Sequence, residues 1–160
     1  MPENNESEIN HWIIRVNDGE NFRNSRYPFW GVSEGRGGSN KTIVGKFKPG
    51  DKLWFLTPKK FGGKLIGMAE YVSFHDRKTE PLIQIDSISN KDQNWKGNDD
   101  WDIQINYKNL YNTEKQDIRA CIQCAATIMK YTSVISKIKD NLYEHSKNFQ
   151  FYAEPKNNWD

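Results

Sequence analysis

Residues 52–74 read KLWFLTPKKFGGKLIGMAEYVSF and set the expected architecture. Leu53, Trp54, Phe55 and Leu56 form an apolar, aromatic run. Thr57 to Gly63 interrupt it with Pro58 and the Gly62-Gly63 pair, and Leu65 to Phe74 are apolar again. Two β-rich runs around a Pro- and Gly-bearing loop read as a hairpin. Apolarity this continuous implies that both faces are covered, as in the central strands of a small closed barrel. Trp54, Phe55, Tyr71 and Phe74 are candidates for the core.

On the N-terminal side, residues 1–10 are polar and read as a flexible start. HWIIRV (11–16) is a short strand, with Trp12, Ile14 and Val16 alternating against Ile13 and Arg15. The polar run 17–26 follows, with Asp18 as a possible N-cap for a short helix holding Phe22. YPFWGV (27–32) is dense in aromatics and runs into the Gly-rich basic loop SEGRGGSNK. Trp30 has two readings here: a core tryptophan, or the wall of a pocket beside a flexible loop. The loop is no phosphate cradle, because its glycines and Lys41 lack the G-x-x-x-x-G-K-[ST] spacing. KFKPGD (46–51) reads as a turn built on Pro49-Gly50.

On the C-terminal side, HDRKTEP (75–81) reads as a polar loop. LIQIDSI (82–88) and WDIQINY (101–107) alternate as strands, the second expected to be the last. Between them, NKDQNWKGNDD (90–100) displays Trp95 in a run too polar for a core segment, so this indole folds back as a lid or awaits a ligand. From Thr113 the period changes to helical: Ile118, Cys121, Ile122, Ala125, Ile128 and Met129 share one face. Thr113 with Gln116 resembles a capping box. A second helix from Ser133 would carry Val134, Ile135, Ile138 and Leu142. Cys121-x-x-Cys124, without further Cys or nearby His, reads as two small residues of a helix rather than a metal site.

The chain has 160 residues, which points to one domain with a real core. Six tryptophans and 13% aromatics argue against a disordered chain. A net charge of +2 permits nucleic-acid binding but excludes a purely electrostatic binder, so a pocket must carry specificity. No apolar run nears the 18 residues of a membrane span, and no leader is evident, so a soluble intracellular protein is expected. The expected layout is a flexible 1–10, one domain over 11–150 and a tail over 151–160. Within the domain a barrel spans 11–111 and helices span 113–147. The fold class is α+β: a β-barrel of five to six strands with flanking helices.

Four collinear segments resemble the YTH and EVE domains of the PUA-like superfamily. WIIRVNDGEN (12–21) is similar to their first strand and the polar turn after it. YPFWGVSEGRGGSNK (27–41) is similar to their Tyr-x-x-Trp segment and following loop. LWFLTPKKFGGKLIGMAEYV (53–72) is similar to their central hairpin, with its Gly-x-Ala-Glu. QNWKGNDDWDIQI (93–105) is similar to their Trp-Lys-Gly loop and final strand. The Pro-Gly-Asp turn (49–51) leans toward the EVE branch. The resemblance implies a PUA-like barrel and a module that reads a modified base, with no catalysis, cofactor or metal.

Carried over by position, the resemblance makes Trp30 one wall of an aromatic cage and Trp95 the opposing wall. Asn17 and Asn21 would bond the base edge, and the Gly31 backbone would face its exocyclic amine. Gly31 stands where Ala or Ser is common in the family. Two extra residues after Lys96-Gly97 make Trp101 a candidate third cage member. Phosphates would cross Arg36, Lys41, Lys59, Lys60 and Lys64. The lead ligand is an adenine methylated at its exocyclic amine in single-stranded RNA, and the runner-up is 5-methylcytosine or another modified base in DNA. Two other classes stay open. An enzyme would need His75, Asp76 and Glu70 inside the pocket. A protein-interaction scaffold would hold the tryptophans purely as core.

Overall fold

A computed structural model describes residues 9–77, 93–96, 101–117, 134–138 and 154–155. In chain order its elements are β1 (His11–Arg15), α1 (Glu20–Asn24), β2 (Phe29–Val32), α2 (Ser39–Val44), β3 (Lys52–Leu56), β4 (Lys64–Asp76), β5 (Ile103–Asp117), β6 (Ile135–Ile138) and β7 (Glu154–Pro155). Single 3-10 turns lie at Arg36–Gly38 and Lys59–Phe61. The expected hairpin is β3–β4, paired antiparallel with Leu53 opposite Ala69 and Trp54 opposite Met68. The expected strand at 82–88 lies outside the described residues.

The sheet runs β2-β5-β4-β3-β1-β6, with β7 also on β5. β1 and β3 are parallel, and every other described pair is antiparallel. Among the described residues the outer strands β2 and β6 do not pair, so the α+β fold carries an open sheet and not the expected barrel. The apolar pattern that suggested closure has another cause. β3 and β4 are inner strands, and Leu53–Leu56 of β3 and Leu65–Ala69 of β4 are buried on both faces. Leu53 and Phe55 join Trp12, Ile14 and Phe22 in one cluster. Trp54, Leu56, Leu65 and Met68 lie outside that cluster and are equally inaccessible.

The end of the chain differs from its helical reading. Residues 113–117 continue β5, with Gln116 opposite Leu65 and Asp117 opposite Lys64, so Thr113 and Gln116 form no capping box. Ile135 and Ile138 belong to β6, where they pair with Ile14 and His11. Their spacing of three fits a helix locally, but the open edge of β1 supplies the hydrogen-bond partners that make it a strand. The cysteine pair and most of the expected helical span 113–147 lie outside the described residues.

Two local devices set the floor on which the site stands. Gly19 caps α1 in the left-handed conformation, φ 88°, and a Cβ there would lie 2.9 Å from Ile66. Asp18, one position before Gly19, accepts the Glu20 amide on Oδ1 at 3.0 Å. This drops Phe22 into the core, stacked on Phe55 with centroids 4.3 Å apart. The Pro49-Gly50 turn ends in Asp51, which is buried. Its carboxylate accepts Trp12 Nε1 at 2.9 Å, the Lys48 amide at 3.0 Å and the Asn10 amide at 3.2 Å, tying the turn to the start of β1.

Burial, and then the Asp51 charge, push the Tyr71 phenol up to about 12. Burial also raises Tyr107. Unfolded tyrosines ionise near pH 10. Above that pH the native state keeps protons that the unfolded chain has released, so stability falls with rising pH. Thermal melts should be level just below about pH 10 and decline from there through 12. Tyr71→Phe should flatten part of that decline.

Candidate functional site

Several stretches far apart in sequence meet at one cavity. β1 ends in Arg15 and the chain turns at Asn17, in the left-handed conformation with φ 54°. β2 brings Trp30, Gly31 and Val32 along the outer strand. The loop 93–96 brings Trp95 and Lys96, and the approach to β5 brings Trp101. Together with Asn21, Ser33 and Val134 these residues line a cavity of about 310 Å³. That is the lower end of the range for small-molecule clefts, roughly 300–1,000 Å³. All six residues named as base contacts line it: Asn17, Asn21, Trp30, Gly31, Trp95 and Trp101.

The indoles are also core. Trp30, Trp95 and Trp101 are 5%, 7% and 8% exposed. Trp30 and Trp95 meet at 4.9 Å and 60°, and Trp95 and Trp101 at 5.5 Å and 65°. A flat ring stacked between two others needs about 7 Å between the outer planes, two van der Waals gaps. Trp30 and Trp95 are therefore not opposing walls of a slot. They touch edge to face, and with Trp101 they form an aromatic corner beside the cavity.

The polar loop that carries Trp95 is fastened at every described residue. Gln93 is fully buried. Its Oε1 accepts the Tyr27 amide, and its Nε2 donates to the carbonyls of Tyr27 at 3.0 Å and Phe29 at 3.2 Å. Asn94 supplies a left-handed turn, φ 65°. Trp95 Nε1 donates to Ser25 Oγ at 2.8 Å, and Ser25 Oγ donates to the Asn21 carbonyl at 3.0 Å. Asn21 clamps Lys96 from both sides: Nδ2 donates to its carbonyl and Oδ1 accepts its amide, each at 2.9 Å. Asn21 is thus a positioning residue, its carboxamide engaged by backbone. Asn17 is different, since its side chain makes no hydrogen bond among the described residues while lining the cavity.

Gly31 has a packing reason to be glycine. A Cβ there would fall 2.3 to 2.6 Å from Trp101 ring atoms, so the indole can sit here only over a bare backbone. The Arg77 guanidinium lies 3.9 Å from the centroid of the same ring, a close cation–π contact. Phe29, two residues before Gly31, gives its carbonyl to Gln93 on the free side of β2. By the period-2 alternation of an antiparallel edge, Gly31 turns its backbone groups to the same side, where the cavity lies.

Among the described lining residues the charged ones are Arg15 and Lys96, both cationic. Arg15 is buried and donates to Ser136 Oγ at 2.7 Å, and burial lowers its pKa. Neither cation was singled out from sequence, although Arg15 is the basic residue preceding the polar turn and Lys96 follows Trp95. None of Arg36, Lys41, Lys59, Lys60 or Lys64 lines the cavity. Arg36 sits in a 3-10 turn, and Lys41 is paired with the buried Asp76 at 2.7 Å. Lys59, Lys60 and Lys64 belong to the hairpin tip. His75, Asp76 and Glu70 do not line the cavity either, and Glu70 pairs with Lys108 at 3.4 Å and Lys52 at 3.8 Å. Among the described residues no cluster of His, Cys, Asp and Glu could hold a metal, and no helix is long and apolar enough to cross a membrane.

No protein-family model matches the chain, and no curated protein sequence does. Solved structures do. The YTH domain of the Zygosaccharomyces rouxii MRB1 protein, solved in complex with N6-methyladenosine RNA, is similar with a TM-score of 0.54 and 14% identity, over 90% of this chain and 88% of that one. A protein from Pseudomonas putida is similar with a TM-score of 0.50 and 9% identity, over 87% of this chain and 98% of that one. At these identities the likeness is one of fold: this chain has a YTH-like fold.

Proposed function

We propose that this protein is a reader module for a methylated base in single-stranded RNA, with an adenine methylated at its exocyclic amine as the ligand. The observation that carries this reading is the convergence of Trp30, Trp95 and Trp101 on one cavity with Asn17, Gly31 and two cations. The YTH-like fold, shared with a domain solved on N6-methyladenosine RNA, supports it.

Each part of the cavity has a task in this reading. The base leaves its stack and enters the cavity, because its Watson–Crick edge and methyl group are otherwise out of reach. The methyl sits in the corner where the indoles meet edge to face, gaining dispersion contacts on several sides. Asn17 can both donate to and accept from the base edge. The Gly31 backbone faces the exocyclic amine. Arg15 and Lys96 supply positive charge for the phosphate at the mouth. Asn21, Gln93 and Ser25 hold Trp95 in place before the ligand arrives, which lowers the ordering cost of binding.

Tryptophan fluorescence tests this directly. The protein is titrated with short single strands that differ only in one methyl group on one adenine. Quenching should favour the methylated strand by about tenfold or more, the worth of one methylene-sized contact in an apolar pocket. Equal binding of both strands, or a preference that appears only for 5-methylcytosine in DNA, sinks the adenine reading. No binding at low salt, where phosphate contacts are strongest, sinks the nucleic-acid reading altogether.

A further inference from the structure

The hairpin tip between β3 and β4 carries a feature that the cavity does not use. Phe61 is 44% exposed, an unusual setting for a large aromatic side chain. It stands in the 3-10 turn Lys59–Phe61, which closes at Gly62 in the left-handed conformation, φ 97°. Lys59 and Lys60 are exposed and make no ion pair among the described residues, and Lys60 Nζ lies 5.0 Å from the Phe61 centroid. Residues 52–69 contain no Asp or Glu, so the hairpin's own charges around the tip, Lys59, Lys60 and Lys64, are all positive. The tip also adjoins the cavity rim. The Val16 amide donates to the Leu56 carbonyl at 2.9 Å, and Gly19 packs against Thr57 and Ile66 at the base of the tip. The rim residues Asn17 and Asn21 flank this contact in sequence.

We infer that this tip is a second contact site for the same single strand, in which Phe61 stacks on a nucleotide flanking the one in the cavity and Lys59 and Lys60 hold its phosphates. The inference deepens the base-reading proposal and rests on it for the identity of the strand. An exposed aromatic ring set among lysines matches what an unpaired strand offers: a π-face on every base and a negative charge on every linkage. The contact is blind to base identity, so it adds affinity without adding methyl discrimination.

The test compares ligands of two sizes on the intact chain. One is free N6-methyladenosine, which reaches the cavity alone. The other is a nine-nucleotide RNA with that base at its centre, followed by fluorescence anisotropy, with an unmodified nonamer beside it. Phe61→Ala should weaken both nonamers by about fivefold or more, the low end of base–aromatic stacking, and leave the nucleoside within twofold. Phe61→Trp should keep nonamer affinity. Lys59→Gln with Lys60→Gln should lower the slope of log affinity against log salt by about 1.4, at about 0.7 per single-strand phosphate contact. Because Phe61 is exposed, these variants keep the core intact. Nonamer affinity within twofold in Phe61→Ala overturns the inference. So does an effect confined to sedimentation with anionic phospholipid vesicles, which assigns the tip to a lipid surface. If the wild type takes up no nucleoside while Phe61→Ala still weakens the nonamers, the cavity reading fails and the tip reading stands.

Discussion

Trp95→Ala is expected to weaken binding of the methylated strand by about 10- to 100-fold, the range of one lost base–indole contact, and to erase its preference over the unmodified strand. The geometry explains why this position dominates. Trp95 is the hub of the aromatic corner, in contact with Trp30 at 4.9 Å, Trp101 at 5.5 Å and Phe29 at 5.7 Å. Its removal opens the corner on two sides. The same contacts mean that the variant loses stability, about 3–5 kcal/mol by analogy with other buried tryptophans. A second variant therefore separates folding from binding. Trp95→Phe keeps a ring in the corner, and Ser25 retains its bond to the Asn21 carbonyl. Its affinity should fall between wild type and Trp95→Ala. Thermal melts establish that each variant is folded before titration. A folded Trp95→Ala that still prefers the methylated strand removes the corner from the mechanism.

Gly31→Ala should cost about 1–3 kcal/mol of stability, as overpacking does, and lower affinity for the methylated strand by a similar factor. Here one methyl group is placed 2.3 to 2.6 Å from ring atoms of Trp101, a distance no packed structure tolerates. The indole must move, and it moves against Arg77 and Trp95. A double-mutant cycle makes the cause visible. In a Trp101→Ala background the new methyl meets no ring, so Gly31→Ala should become nearly neutral for stability. Binding should stay weak in the double variant, because Trp101 is gone. If Gly31→Ala costs the same in both backgrounds, the contact with Trp101 is not what selects glycine.

Much of this was legible residue by residue. The hairpin, the short helix around Phe22 and strand β1 all follow from local apolar pattern and turn chemistry. Each depends on interactions within about ten residues, which periodicity reports directly. The cage candidates came from Trp-bearing segments that resembled a known pattern. The clamp of Asn21 on Lys96 and the burial of Gln93 between Tyr27 and Phe29 had no local signal, because their partners lie 64 to 75 residues away. Thr113 to Asp117 read as a helix start because no local pattern shows that Lys64 and Leu65 lie waiting across the ladder.

From its residues alone, then, this chain declares a β-hairpin at its centre, an aromatic core and three tryptophan-bearing segments of mixed character. Those features arise from hydrophobic alternation and turn geometry, which act over a few residues. Whether the strands closed into a barrel, whether Ile135 and Ile138 lay on a helix or an edge strand, and whether three indoles faced a slot or met in a corner were settled by long-range pairing and packing. Backbone donors must find partners wherever an open edge offers them, and rings must fit the space that neighbours from distant segments leave.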